Sequence, residues 1–130
     1  MTGGEIALAT LVVLAALGVA VAGGWPVTAW VLERATGGED PAARQAAARL
    51  LRGGTWIGVL ERLAILGSIL VGYPEAIAVV VAIKGLGRFP ELRAAPGAVA
   101  SERFIIGTLT SFCWAGAVGV GATHLLRALG

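Results

Sequence analysis

Two adjacent ionisable residues, Glu61 and Arg62, interrupt residues 54–71, which otherwise read GTWIGVL on one side and LAILGSILV on the other. The next apolar segment carries Lys84 and Arg88. Runs of about 20 apolar residues are what a hydrocarbon core requires of a crossing helix. A charge buried at that depth costs roughly 2.5–3.5 kcal/mol on insertion scales, so it needs a partner, a cavity or a task. The fold class that meets both demands is an all-α integral membrane protein.

Composition points the same way. The chain has 130 residues, 57% hydrophobic and 14% charged, with a mean hydropathy of +0.84. Soluble domains average about 25% charged residues. A soluble domain of this size keeps too much of its surface in water to hide so much apolar area. There is room for about four transmembrane helices in one membrane domain, residues 1–130. The net charge of +2 is small and the basic residues are scattered, which excludes a nucleic-acid partner.

Four spans are expected, over residues 6–25, 54–71, 74–88 and 102–126. The first has an apolar continuation to Leu32, and Gly23, Gly24 and Pro26 are expected to kink it. Ala20-Val21-Ala22 imitates a leader-cleavage site. The residues before the apolar stretch hold Glu5 and no Lys or Arg, so the stretch is read as a retained span. Asp40 and Pro41 are a helix-start signal for an amphipathic interfacial helix over residues 41–52. Its arginines, Arg44, Arg49 and Arg52, would meet lipid phosphates. Gly72, Pro74 and Glu75 mark a tight hairpin between spans two and three. Phe89-Pro90 is expected to stop span three, and Ser101 to cap span four.

Basic residues set the orientation. Arg34, Arg44, Arg49 and Arg52 fall in one long connection, and Arg88, Arg93 and Arg103 around the other. By the positive-inside rule both long connections are cytoplasmic and both termini lie outside, in a cell inner membrane. Trp25, Trp30 and Trp56 fall at the cytoplasmic edge, whereas Trp114 falls mid-span and is read as a packing residue. The recurrence of Val31–Arg34 as Val59–Arg62 is treated as coincidence rather than an inverted repeat.

The hairpin also sets depths. If the chain reverses at residues 72–73, Glu61 lies level with Lys84 and Gly58 level with Arg88. Glu61 and Lys84 can then pair, and Gly58 leaves room for the Arg88 guanidinium. Lys84 and Arg88 share a helix face and repel unless an anion lies between them. Glu61, Glu102 or a bound anion could supply that charge. The candidate cluster is therefore Glu61, Arg62, Lys84, Arg88 and Glu102, with one surplus positive charge.

Gly107, Ser111, Ala115, Gly119 and Thr123 recur every four residues on span four. Small-xxx-small stripes let helix backbones approach closely. The neighbour is either another helix of the chain or a second copy, and a homo-oligomer is expected. Enzyme chemistry is not indicated. His124 is the only histidine and Cys113 the only cysteine, so no triad, metal cluster or disulfide is encoded, and no cofactor is expected. Cys113 is read as a small buried thiol.

One resemblance follows from the residues around this cluster. Ile57-Gly58-Val59-Leu60-Glu61-Arg62, Ala76-Ile77, Ala82, Lys84, Arg88-Phe89 and Glu91-Leu92 form a series with Glu102, Ile106-Gly107-Thr108-Leu109 and Ser111. It resembles the C-terminal membrane portion of an uncharacterised bacterial family of polytopic proteins, a domain of unknown function. The likeness covers residues 54–111. It implies that the charged residues belong together, and it brings no reaction with it. Longer members carry more membrane sequence before this region, and Pro90 stands where a small residue is expected.

Two functions are open from sequence, the first leading and the second its alternative. One is a small transporter or channel-like protein in which the Glu61–Lys84 pair handles a proton or small anion. The other is a non-catalytic membrane subunit or assembly factor that binds a partner protein or anionic lipid. A water-reachable cavity at the pair separates the first from the second, which calls for a dry, packed pair.

Overall fold

The computed structural model describes residues 2–37, 41–42, 45, 54–94 and 99–130. Four α-helices organise them: α1 (Gly3–Thr36), α2 (Gly54–Leu70), α3 (Ala76–Ala94) and α4 (Val99–Leu129). Helix α1 opens with a capping box. The Thr2 hydroxyl accepts from Glu5 N, and Glu5 Oε2 accepts from Thr2 N at 2.6 Å. These bonds satisfy two amide donors that a helix start leaves free.

Several expected boundaries move. Helix α1 continues through Gly23, Gly24 and Pro26 instead of ending near residue 25. A proline removes one backbone bond, here the one to Ala22 O, and apolar residues on both sides keep the remaining ladder intact. Helix α3 likewise runs through Pro90 to Ala94. Pro90 lies near its end, where one lost bond interrupts little. Helix α4 begins at Val99, so Ser101 is inside the first turn rather than before it. Of the proposed interfacial helix, Pro41, Ala42 and Gln45 are helical. Arg44, Arg49 and Arg52 lie outside the described residues.

The turn between α2 and α3 is a Schellman motif. Tyr73 N donates to Ser68 O at 2.8 Å and Gly72 N to Ile69 O at 3.1 Å. Gly72 has φ +77°, the left-handed conformation this cap requires and glycine adopts without strain. Backbone bonds to the carbonyls of Tyr73, Pro74 and Glu75 then lead into α3.

Side-chain contacts give the topology. Val19 and Gly23 of α1 meet Trp114, whereas Thr28 and Leu32, further along, meet the earlier residue Gly107, so α1 and α4 are antiparallel. Arg62 meets Ser111 and Ile69 meets Gly119, so α2 and α4 are parallel. The C-terminal ends of α1 and α3 and the N-terminal ends of α2 and α4 therefore share one end. Arg34, Arg88, Arg93 and Arg103 lie in the helix turns nearest that end.

Helices α1 and α4 make the largest contact, α2 lies against both, and α3 packs on α2. The core is small: Ala16, Ala20, Leu66 and Ala122, flanked by Val12, Leu17, Leu70 and Val118. Ala16, Ala20, Gly24 and Thr28 form a second stripe at spacing four, on α1. It meets the stripe on α4 where Thr28 lies against Gly107. Gly107 lies against Thr28 and Leu32, Ala115 is fully buried, and Gly119 lies against Ile69 of α2. The small residues of α4 thus serve packing within the chain.

Two helices, α1 and α4, are long and apolar enough to cross a membrane. Their most apolar windows are only 11% and 17% buried, unlike the core helices of a soluble protein. Leu11, Leu14, Ile83, Leu86, Ile105 and Leu109 all point outward. Trp25, Trp30 and Trp56 are exposed too. Cys113 is exposed, not buried as expected, because it lies on the outer side of α4 beside Leu109 and Ala117. Val31–Arg34 and Val59–Arg62 share letters but not surroundings: Glu33 and Arg34 are exposed, Glu61 and Arg62 buried.

Candidate functional site

All four helices converge on one polar layer, built from residues about seven positions into α2. At ~1.5 Å per residue this is roughly 10 Å from the shared basic end. Glu61 and Arg62 are neighbours in sequence and so diverge by about 100° around the helix axis. Glu61 faces α3, and Arg62 faces α1 and α4.

On the α3 side, Lys84 Nζ donates to Glu61 Oε2 at 2.7 Å. The register read from the hairpin brings these two together. The pair is nearly dry, with the Lys84 side chain 16% exposed and that of Glu61 7%. Two rings of α4 close over the ammonium, Phe104 at 5.4 Å and Phe112 at 5.9 Å from ring centre to Nζ. Ring faces attract a cation where water is excluded. Lys84 thus ties α3 to α2 through a carboxylate and to α4 through aromatic faces.

On the other side, Arg62 is 5% exposed. Its Nη1 donates to Ser111 Oγ at 3.2 Å and its Nη2 to the Val21 carbonyl at 3.3 Å. Gly24 makes this possible: a Cβ there would overlap Arg62 Cδ and Nε. Gly23 does the same for Trp114, whose Nε1 donates to Val19 O at 3.1 Å. Trp114 is a packing residue, as expected. Gly23 and Gly24 offer flat surface, one for an indole and one for a guanidinium.

Among the described residues, three buried side-chain polar atoms have no partner: Arg62 Nε, Thr28 Oγ1 and Thr108 Oγ1. Three helical hydroxyls elsewhere behave differently. Thr10, Ser68 and Thr123 each donate to the carbonyl one turn before them, at 2.6–2.9 Å.

Of the predicted cluster, Glu61, Arg62 and Lys84 are brought together. Gly58 gives room to the Arg62 guanidinium, 3.2 Å from its Cβ position, and not to Arg88. The depth estimate was sound, but residue 58 is one turn before Arg62 on the same helix and takes its contact first. Glu102 is exposed in the first turn of α4 and takes no part in these bonds. An acid at that position complements the helix dipole. Arg88 does have an interaction of its own. Gly23, Gly24, Thr28, Phe104, Thr108 and Phe112 are site residues that the sequence reading missed. No group of three metal-ligating side chains occurs among the described residues.

No protein-family model, no curated protein and no solved structure matches the chain. The resemblance over residues 54–111 rests on the residues quoted for it.

Proposed function

We propose that the chain is a four-span inner-membrane protein that works as a non-enzymatic membrane subunit or assembly factor. The observation that carries this reading is the enclosure of the Glu61–Lys84 pair by Phe104 and Phe112. A pair held this way fixes helix register and keeps α3 on the bundle. Helices α1 and α4 supply two of the spans, and α2 and α3 the other two, as a hairpin held by its ion pair. The arginine-bearing end is cytoplasmic and both termini are outside. The apolar outer face of α3, with Val79, Ile83, Leu86 and Phe89 exposed, is the surface for a partner protein or a second copy. Arg44, Arg49 and Arg52 meet anionic lipid beneath it.

A second reading, a small transporter or channel-like protein, draws support from the unpartnered polar atoms beside Arg62. Reconstitution separates the two. In liposomes, wild-type protein should add no proton or chloride flux over empty vesicles. The exchange of Glu61→Lys with Lys84→Glu should restore the thermal stability that either single change removes. Flux that Glu61→Gln abolishes, and that the exchange does not restore, would replace the first reading by the second.

A further inference from the structure

An apolar groove runs along the contact between α1 and α4. Those two helices alone line it, with Val27, Leu109, Thr110, Cys113, Trp114 and Ala117. It opens on the outer side of the pair, where Leu109 and Cys113 are exposed.

The register of the two helices shows what stands above it. They are antiparallel, so each step along α1 toward the shared basic end is matched by a step back along α4. Gly23 lies against Trp114. Four residues further along α1, Val27 is therefore level with Thr110, and both line the groove. Seven residues beyond those, Arg34 is level with Arg103. Seven residues make about two turns, so Arg34 shares the face of Val27, and Arg103 that of Thr110. Two guanidinium groups thus flank one level, ~10 Å from Val27 and Thr110 toward the basic end.

Arg34 is exposed and lies over the Trp30 ring, 4.9 Å from its centre. Arg103 is half-buried and has an interaction of its own. Each guanidinium has five donors in a planar fork that matches phosphate oxygens, so one contact leaves others to give. Glu33 and Glu102, each one residue earlier, are turned about 100° further round their helices and are exposed. Two like charges held at one level favour an anion between them.

Depth identifies the occupant. A hydrocarbon core is ~30 Å thick within ~40–45 Å overall, so headgroups take about 5–7 Å on each side and one leaflet of chains about 15 Å. With a phosphate at the arginines, Thr110 lies ~10 Å deeper and Ala117 ~21 Å deeper. The groove then runs from just inside the hydrocarbon boundary to about the midplane, which is the reach of one acyl chain. A helix of a second copy would need a seam through both leaflets. A free anion would leave the groove unused.

We propose that the chain binds one anionic phospholipid from the leaflet at the shared basic end. Its phosphate lies between Arg34 and Arg103, and one acyl chain lies in the groove along Val27, Cys113 and Ala117. The site rests on the reading of the chain as a membrane protein, and holds whether it is a subunit or a transporter.

Native mass spectrometry of the full chain, released from nanodiscs of phosphatidylcholine with phosphatidylglycerol as the minor component, tests it. One phosphatidylglycerol per chain should be retained, in excess of its share of the bilayer. Arg34→Gln and Arg103→Gln should each lower that excess by about fivefold. Ala117→Trp fills the groove, keeps both arginines and should release the lipid. A second measurement does not depend on these variants. With Trp25, Trp30 and Trp56 changed to Phe, which keeps a ring beneath Arg34, Trp114 is the remaining indole. Phosphatidylglycerol brominated midway along its chains should quench it more than equally brominated phosphatidylcholine. No excess on a chain that has entered the nanodisc, or an excess that both arginine variants keep, overturns the site alone. A dimer that carries no lipid overturns it too, because a second copy then fills the groove. A chain that stays outside the nanodisc overturns the membrane reading together with the site.

Discussion

The side chain of Arg62 lies flat across the Cα of Gly24, so close that a Cβ at that position would overlap Arg62 Cδ and Nε and sit 2.8 Å from Cζ. Gly24→Ala must therefore push the guanidinium off Ser111 and Val21. Overpacking of this kind costs about 1–3 kcal/mol. Gly18, on the same helix, has nothing within 4 Å of its Cβ position. Gly18→Ala should be neutral or stabilising by up to roughly 1 kcal/mol, since alanine is the better helix former. Unfolding by SDS titration in bicelles measures both. Equal effects at positions 18 and 24 would remove Arg62 from the α1 surface.

The Glu61–Lys84 bond calls for a double-mutant cycle. Removing one partner of a buried pair leaves a lone charge and costs about 3–5 kcal/mol. Glu61→Gln and Lys84→Met should each destabilise strongly, and Glu61→Gln the more sharply, because it leaves the ammonium between two rings. Together they should cost less than the sum, by about 1–3 kcal/mol. Additivity within about 0.5 kcal/mol is the result for residues that do not touch, and it would break the link between α2 and α3.

Half of this site was legible before any coordinates. Gly72 and Pro74 fix where the chain turns, and a turn fixes which residues of its two arms are level, so Glu61 and Lys84 could be paired. The partners of Arg62 were hidden for two reasons. A glycine pair before a proline carries the same letters whether it bends a helix or offers a flat surface. The Ala16–Ala20–Gly24–Thr28 stripe has the spacing of a packing seam, but alanine and glycine fill so much of α1 that many such stripes can be drawn. Cys113 was misplaced for a related reason: a helix apolar on every side has no polar face to tell outside from inside. Pro90 reads as a stop in the sequence, although the loss of one backbone bond bends or weakens a helix more often than it ends one when both flanks remain helical.

Gly72 offers a test of the hairpin itself. It alone has positive φ among the described residues. Gly72→Ala places a Cβ against the following carbonyl and should cost about 1–2 kcal/mol. Gly67→Ala, in the body of α2 with nothing near its Cβ position, should cost nothing. If the two variants melt alike, the Schellman cap does not hold the turn.

Cys113 reports on the surroundings of α4. It is exposed about 14 residues into the helix, roughly 21 Å from its start. It lies in an open apolar groove with Val27, Leu109 and Ala117. In a bilayer that groove faces acyl chains, which charged reagents do not reach. In intact vesicles a pyrene maleimide should modify Cys113, while a sulfonated maleimide added on either side should leave it at least tenfold slower, on the order of the barrier that about 1.4 kcal/mol represents. Trp56 is exposed near the start of α2, at the shared basic end. With Cys113 replaced by serine, Trp56→Cys should react readily with the sulfonated reagent from the side that the shared basic end faces. Equal rates at the two positions would mean that water, not lipid, covers the outer face of α4, and the membrane reading of the chain would fall with it.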